Sequence, residues 1–273
     1  MARVALFPLV LGALWGLWEG YRAIWIATGW TWPFAVSDIT MPHVHAIVAQ
    51  LFEPSRLNGP LLIRVLFDSA LFTAKEAATG FAIGASVGFV LAIVLVHSRL
   101  LQRGLMPYIV ASQTIPLLAI APMVVVGLGS KGVTGWVSVS VTAAYLTFFP
   151  VTINTLRGLQ SADPRSLELM RSYAGSRFAV LRKLRIPASL PYLFAALKVS
   201  ATASVVGAII SELPSGIQNG LGGAILNFNQ YYITEPKNLW ATNLIAALLG
   251  ITFFLAVVVA EKLVVRRAPE HVA

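Results

Sequence analysis

The 273-residue chain has no cysteine, and only 11% of its residues are charged. Without cysteine it forms neither a disulfide framework nor a thiolate metal site. A charged fraction this low, together with 57% apolar residues and a mean hydropathy of +0.77, excludes an ordinary soluble domain. The chain also lacks the G-x-x-x-x-G-K-[ST] pattern, so it has no P-loop to hold nucleotide phosphates.

What the chain does have is a series of apolar runs of the length that crosses a hydrocarbon core. The run at residues 61–96 is too long for one simple crossing, so we expect its first half to be a surface or packed helical piece. Three glycines in its second half, spaced four apart, predict a close helix–helix contact. The sequence therefore predicts an all-α membrane protein with six spans, near residues 5–28, 77–96, 106–128, 133–156, 192–212 and 239–263.

Basic residues indicate the orientation of these spans. The chain carries 20 Lys/Arg against 11 Asp/Glu, a net charge of +9. With the first residue inside, 13 of the 20 fall on inner segments, seven of them between residues 157 and 185. Cytoplasmic loops are enriched in Lys and Arg. We therefore expect both termini on the cytoplasmic side.

The basic segment between the fourth and fifth spans predicts a helix–turn–helix. Asp163 followed by Pro164 is a typical helix start, Gly175 a stop, and Ser176 a second N-cap. Pro187 predicts that the second helix ends near residue 186. Such a surface either fixes orientation in the bilayer or docks a soluble partner.

The same segment resembles the cytoplasmic signature of permease subunits in bacterial ABC importers. That signature reads Glu-Ala-Ala, three residues, Gly, nine residues, Ile-x-Leu-Pro. Here it aligns as Glu168-Leu169-Met170, Ala174 at the glycine place, and Leu184 to Pro187, so the Glu and the Pro are in register. The alanines, the glycine and the Ile/Leu pair are altered, and Gly175 comes one place late.

The resemblance extends over nearly the whole chain. Residues 113–154, the Ala196-Leu197-Lys198 run, Glu212 and Gly220-Leu221-Gly222 are similar to the sulfonate, taurine and nitrate permeases. Residues 226–236 are more similar to the branch thought to carry pyrimidine vitamin precursors or flavins.

The resemblance implies a type I importer permease fold with a cytoplasmic coupling-helix hairpin. It implies a first helix and outer segment at 1–60, a core of five spans at 61–267 with a coupling loop at 158–190, and a cytoplasmic tail at 268–273. The chain would be a non-enzymatic inner-membrane subunit that binds no cofactor, paired with a second permease subunit, most simply an identical one. Two cytoplasmic ATPases would bind ATP and Mg, and an extracytoplasmic binding protein would deliver a sulfonate, taurine, nitrate or a pyrimidine or flavin precursor.

The expected ATPase-docking residues all belong to the basic hairpin. Leu167, Met170 and Tyr173 would provide apolar anchorage, and Glu168 would accept a hydrogen bond or ion pair. The alternative for Glu168 is an ion pair within the helix, with Arg165 or Arg171, worth about 0.2–0.5 kcal/mol. The full set is Asp163, Leu167, Glu168, Met170, Arg171, Tyr173, Ala174, Gly175 and Pro187.

The expected substrate pathway is lined by small and polar groups of the third, fourth and fifth spans, and the candidate residues are Gln113, Thr114, Ser204 and Glu212. For the first two, helix–helix hydrogen bonding is the alternative. An acid at membrane depth is costly, so Glu212 is either functional or close enough to the outer surface to be wet. His43 and His45 have no third ligand nearby in sequence, so no metal site is expected.

Three other functions compete with a permease subunit. A stand-alone channel or ion-driven carrier would transport without an ATPase. A membrane-tethered nucleic-acid binder would use the basic hairpin in a groove, but flanking spans restrict its reach, so no nucleic-acid partner is expected. An intramembrane enzyme is disfavoured because no predicted span pairs a nucleophile with a histidine or two acids.

Overall fold

The computed structural model describes residues 2–56 and 58–265, and the side chains of residues 2–8 and 11 fall outside this description. The described residues form helices joined by short turns, with one isolated β-bridge between Pro54 and Leu61. The helices are α1 (Ala2–Thr28), α2 (Val44–Gln50), α3 (Leu62–His97), α4 (Arg99–Ser112), α5 (Leu117–Gly129), α6 (Gly135–Gln160), α7 (Pro164–Ser172), α8 (Arg177–Val180), α9 (Ile186–Ser215), α10 (Leu221–Gln230) and α11 (Pro236–Val264).

Four helical stretches among the described residues are long and apolar enough to cross a membrane: α3, α6, the continuous helix Arg177–Ser215, and α11. The bent pair α4 and α5 raises the number to five if it counts as one span. Arg266, Arg267 and the predicted tail at 268–273, like the side chain of Arg3, lie outside the described residues.

The chain divides into two compact units. One comprises residues 1–69 and 224–246, and the other residues 70–223 and 247–273. In the first unit, α2, the start of α3, α10 and the start of α11 enclose a small apolar core around Leu62, Leu66 and Phe228. In the second unit, α6 and α9 form the centre of the bundle, and their contact face is rich in small side chains.

Helix α3 differs from the prediction of a separate surface piece before residue 77. It is one uninterrupted helix of 36 residues, about 54 Å long at 1.5 Å per residue. No proline or glycine interrupts residues 62–79, so nothing in the backbone stops the helix. Of the charged side chains that suggested a surface or packed helical piece, Arg64, Asp68 and Lys75 are exposed, whereas Glu76 is fully buried.

The three glycines in α3 confirm the predicted close contact. A Cβ atom at Gly80, Gly84 or Gly88 would lie 2.5, 2.4 or 2.7 Å from a backbone oxygen of α6. Such distances leave no room for any side chain. The glycine face therefore brings the backbones of α3 and α6 into direct contact, as small residues do between membrane helices.

The predicted third span at 106–128 is not a straight helix. It is broken into α4 and α5, which meet at 97°, and α4 already begins at Arg99, in what was expected to be a loop. Pro116 occupies the N-cap of α5. Because proline cannot donate a backbone hydrogen bond and disfavours helix in the residue before it, the break falls at residues 113–116.

The prediction that the second hairpin helix ends near Ile186 is wrong. The chain stays helical from Arg177 to Ser215 through a π-helical turn, Leu181–Arg185, and also passes through Pro191. The backbone N–H of Ile186 donates to the carbonyl of Leu181, five residues back. The extra residue of a π-turn changes the local hydrogen-bond register, which accommodates the missing N–H of Pro187.

The segment after α1 is held by a polar cluster around Arg22 and His43. Arg22 donates to Asp38 at 2.5 Å and to the Nε2 atom of His43 at 3.2 Å, and the Nδ1 atom of His43 lies 2.7 Å from Glu19. Contrary to the expectation, the fold does bring a third potential metal ligand, the carboxylate of Glu19, beside His43 and His45. Both ring nitrogens of His43 are engaged, however, and one faces a guanidinium.

Candidate functional site

The hairpin between α6 and α9 begins with a capped helix, as the sequence predicts. The Asp163 carboxylate accepts hydrogen bonds from the backbone N–H groups of Arg165 and Ser166 and from the Ser166 hydroxyl at 3.0 Å. The Ser166 hydroxyl, followed by the Arg165 amide, lowers the pKa of Asp163 below its ordinary value. The Ser176 hydroxyl likewise accepts from the Ala179 amide and caps α8.

The turn of the hairpin is a Schellman motif centred on Ala174. The Gly175 amide donates to the carbonyl of Met170, and the Ala174 amide donates to the carbonyl of Arg171. Ala174 itself has a positive φ of 51°, a left-handed conformation that glycine adopts more easily. The position at which the importer signature has glycine is therefore the position at which this backbone favours it.

The outer face of the hairpin is apolar as well as charged. Tyr173 is 78% exposed, Phe178 69% and Leu169 58%. Glu168 lies exposed beside them and forms no ion pair within the described residues, so the intrahelical alternative is not realised. By contrast, Leu167 and Met170, two of the three expected anchors, are half-buried within the subunit.

Behind the hairpin lies a basic cleft of about 300 Å³ at the end of α3. It is lined by Arg171, Arg177 and Arg185 together with His97 and Leu167. Three of the basic side chains of the hairpin thus line this cleft, while Leu169, Tyr173 and Phe178 remain accessible. Pro187 lies beyond the π-turn, at the second residue of α9.

The four expected pathway residues do not share one lining. Gln113 and Thr114 are exposed at the break between α4 and α5, and the Thr114 hydroxyl donates back to Ala111. Ser204 is buried and donates to the carbonyl of Ala201 in its own helix. Glu212 is completely buried, so the alternative that it is wet at the outer surface is wrong.

Glu212 is held by three elements of the second unit. The Thr73 hydroxyl of α3 donates to its Oε1 at 2.6 Å, and the Gly222 amide at the start of α10 donates to its Oε2 at 2.5 Å. The glycine-rich turn fits closely around the carboxylate, since a Cβ at Gly220 would lie 2.3 Å from the Glu212 Cδ atom. Glu76 of α3, also fully buried, faces the same carboxylate.

Several of these residues escaped the sequence reasoning. Leu169 was aligned with the signature without a role, and Thr73 was not considered. Glu76 was assigned to a surface piece. The available signal was the Thr73-x-x-Glu76 spacing within an apolar run, because residues three apart share a helix face.

The helical architecture of this chain also occurs in a solved structure. A crystal structure of an amino acid ABC transporter with histidines contains a chain that aligns with 74% of this protein and 95% of its own length, with a TM-score of 0.60 and 18% identity. At that identity the likeness shows a shared fold alone.

The family is defined by sequence. Residues 84–268 match the family of binding-protein-dependent transport system inner membrane components, and the chain belongs to that family. It is 31% identical to the formylaminopyrimidine transport permease protein ThiX of Halalkalibacterium halodurans, over 75% of this chain and 83% of that protein.

Two further relatives have different transport names. The riboflavin transport system permease protein RibX of Chloroflexus aurantiacus is 29% identical over 81% of this chain and 78% of its own. The putative aliphatic sulfonates transport permease protein SsuC of Bacillus subtilis is 27% identical over 90% and 80%. The protein is thus a multi-pass inner-membrane permease subunit of an ABC importer rather than a stand-alone channel.

Proposed function

We propose that this permease is driven through its cytoplasmic hairpin, residues 161–187, which docks in a groove of a partner ATPase. The observation that carries the proposal is the exposure of Leu169, Tyr173 and Phe178 beside the unpaired carboxylate of Glu168. Exposed aromatic and aliphatic side chains around a charge are typical of protein interfaces. Met170 and Leu167 support this surface from within.

The remaining assembly follows from the same proposal. Two copies of the permease, each with six spans and both termini in the cytoplasm, pair with two ATPases that bind ATP and Mg. Closure of the ATPases draws the two hairpins together. It shifts the spans between inward-open and outward-open states only through contacts that differ between those states. An extracytoplasmic binding protein delivers the substrate.

Docking is tested by changing one exposed hairpin side chain. Tyr173→Ala should reduce both co-purification with the co-expressed cognate ATPase and ATP-driven uptake at least tenfold, because about 1.4 kcal/mol of a buried aromatic anchor corresponds to a factor of ten. The matched control is Tyr231→Ala, which removes a tyrosine that is 55% exposed in the outer loop. Docking elsewhere is indicated if Tyr173→Ala retains both properties.

For the substrate, we favour a small nitrogen heterocycle of the pyrimidine or flavin type. Support comes from the names of the relatives ThiX and RibX, which are 31% and 29% identical to this chain. The competing class is an alkyl sulfonate, after SsuC. The assay is ATP hydrolysis by the permease, ATPase and binding protein in nanodiscs, with formylaminopyrimidine, riboflavin, taurine and nitrate compared in parallel. Stimulation by taurine or nitrate alone contradicts the heterocycle.

A further inference from the structure

The Glu76 carboxyl group lacks a hydrogen-bond donor. Its side chain is fully buried, and neither of its oxygens has a hydrogen-bond partner among the described residues. The polar group that faces it is the carboxylate of Glu212, which is itself an acceptor. Two buried carboxylates in this arrangement repel each other, and a charge without a partner is costly in the interior.

The hydrogen bonds around Glu212 favour this acid, rather than Glu76, as the carrier of the negative charge. The Gly222 amide can only donate, and it points at Oε2. The Thr73 hydroxyl accepts from the Leu221 amide at 2.9 Å, which leaves its own proton for Oε1 of Glu212. Glu212 is therefore supplied with a donor at each oxygen, the pattern that stabilises an ionised carboxylate.

Among the described residues, no cation forms an ion pair with Glu76. Lys75 precedes Glu76 on α3, but its ammonium group lies over the ring of Trp136, 4.3 Å from the centroid. Helix α10 has no ionisable side chain, and the single charged residue of α6 is Arg157, near its far end. On α11, Glu261 is paired with Lys198.

We propose that Glu76 and Glu212 form a proton-binding site, in which Glu76 is a neutral carboxylic acid that donates its proton to the Glu212 carboxylate. One proton then supplies the missing donor and removes the second charge. It joins α3 to α9 and, through Gly222, to the glycine-rich turn before α10. A metal cation fits less well, because the neighbouring Thr73 and Gly222 groups present hydrogen atoms rather than oxygen ligands.

The first test is spectroscopic and uses the purified full-length permease in nanodiscs. At neutral pH the wild type should show the infrared C=O stretch of a buried protonated carboxyl group, which shifts on deuteration. Glu76→Gln should abolish this band, and the control Glu53→Gln, at an exposed position, should retain it. The proposal is overturned if the wild type lacks the band or if Glu76→Gln keeps it.

The second test measures stability against pH. A proton held by the folded protein but not by the unfolded chain makes stability fall as the pH rises. The thermal midpoint of the wild type should therefore drop by about 5 °C or more from about pH 6 to about pH 9. Glu76→Gln mimics the neutral acid and should remove this part of the pH dependence. The Glu212→Gln variant should have a lower thermal midpoint than the wild type at every pH, because its side-chain NH₂ group would face another hydrogen-bond donor.

A cation site gives a different result in the same assay. Na⁺, K⁺ or Ca²⁺ would then raise the midpoint of the wild type relative to choline chloride, and Glu76→Gln would lose that increase. The proposed proton site predicts no such dependence on the cation. If the thermal midpoints of the wild type and Glu76→Gln depend equally on pH, that result would also contradict the proton-binding site.

Discussion

The Gly175 amide donates to the carbonyl oxygen of Met170 at 2.8 Å, and this hydrogen bond closes the first helix of the basic hairpin. Between the two residues, Ala174 takes the left-handed conformation at a φ of 51°. The altered signature of this chain thus keeps the geometry of the turn while replacing the residue that fits it best. The register of Glu168 and Pro187 relative to the turn is preserved.

The two residues of this turn should respond in opposite directions to substitution. Ala174→Gly relieves a left-handed alanine, which costs about 1–2 kcal/mol, and loses part of that gain to chain entropy. We expect it to raise the free energy of unfolding by about 0.5 kcal/mol. Gly175→Ala should lower it, because a Cβ there would lie 2.8 Å from the Met170 oxygen. Thermal denaturation of both variants in the same detergent provides the measurement.

The glycine face of α3 should tolerate no side chain. Gly84→Ala places a Cβ 2.4 Å from the Ala144 carbonyl oxygen of α6 and should destabilise the permease by about 1–3 kcal/mol. Gly250→Ala in α11 is the matched control, since nothing lies within 4 Å of its added Cβ; we expect a change within about 0.5 kcal/mol. Similar thermal midpoints for the two variants would argue against a tight α3–α6 contact.

The ion pair between α9 and α11 should be measurable by a double-mutant cycle. Lys198 and Glu261 lie 2.7 Å apart, and both side chains are about one-quarter exposed. We expect a coupling energy of about 1 kcal/mol for Lys198→Ala with Glu261→Ala, at the upper end for partly exposed pairs. A coupling energy near zero would mean that Lys198 instead extends its ammonium toward the interface, as its position in the sequence predicts.

The cap of α7 should titrate at low pH. Because the Ser166 hydroxyl lowers the pKa of Asp163, the cap contributes stability above the ordinary aspartate pKa of about 3.9, and this contribution is lost as the pH falls through the lower folded value. NMR titration of the labelled carboxyl group should give a midpoint below that of a free aspartate. Ser166→Ala should raise the midpoint, whereas Ser172→Ala, whose hydroxyl donates to Leu169 instead, should leave it unchanged.

Local chemistry made a large part of this protein predictable. The apolar runs placed the membrane helices, and the two caps of the hairpin at Asp163 and Ser176 were both predicted because each depends on groups within three residues. The glycine spacing of α3 predicted a close contact without naming its partner. Helix ends at prolines were less predictable, because Pro116 interrupts the helix between α4 and α5, whereas Pro187 and Pro191 lie inside a continuous helix.

The sequence by itself determined that this is a helical membrane permease with a basic, capped hairpin between two long helices, because hydropathy, charge distribution and caps are properties of neighbouring residues. Only the tertiary structure decided that Glu212 meets Thr73 and Glu76, residues 139 and 136 positions away, and that Leu169 rather than Leu167 is presented outward. Burial and hydrogen-bond partners depend on which helices pack together. That packing follows from the free energy of the whole bundle rather than from any one segment.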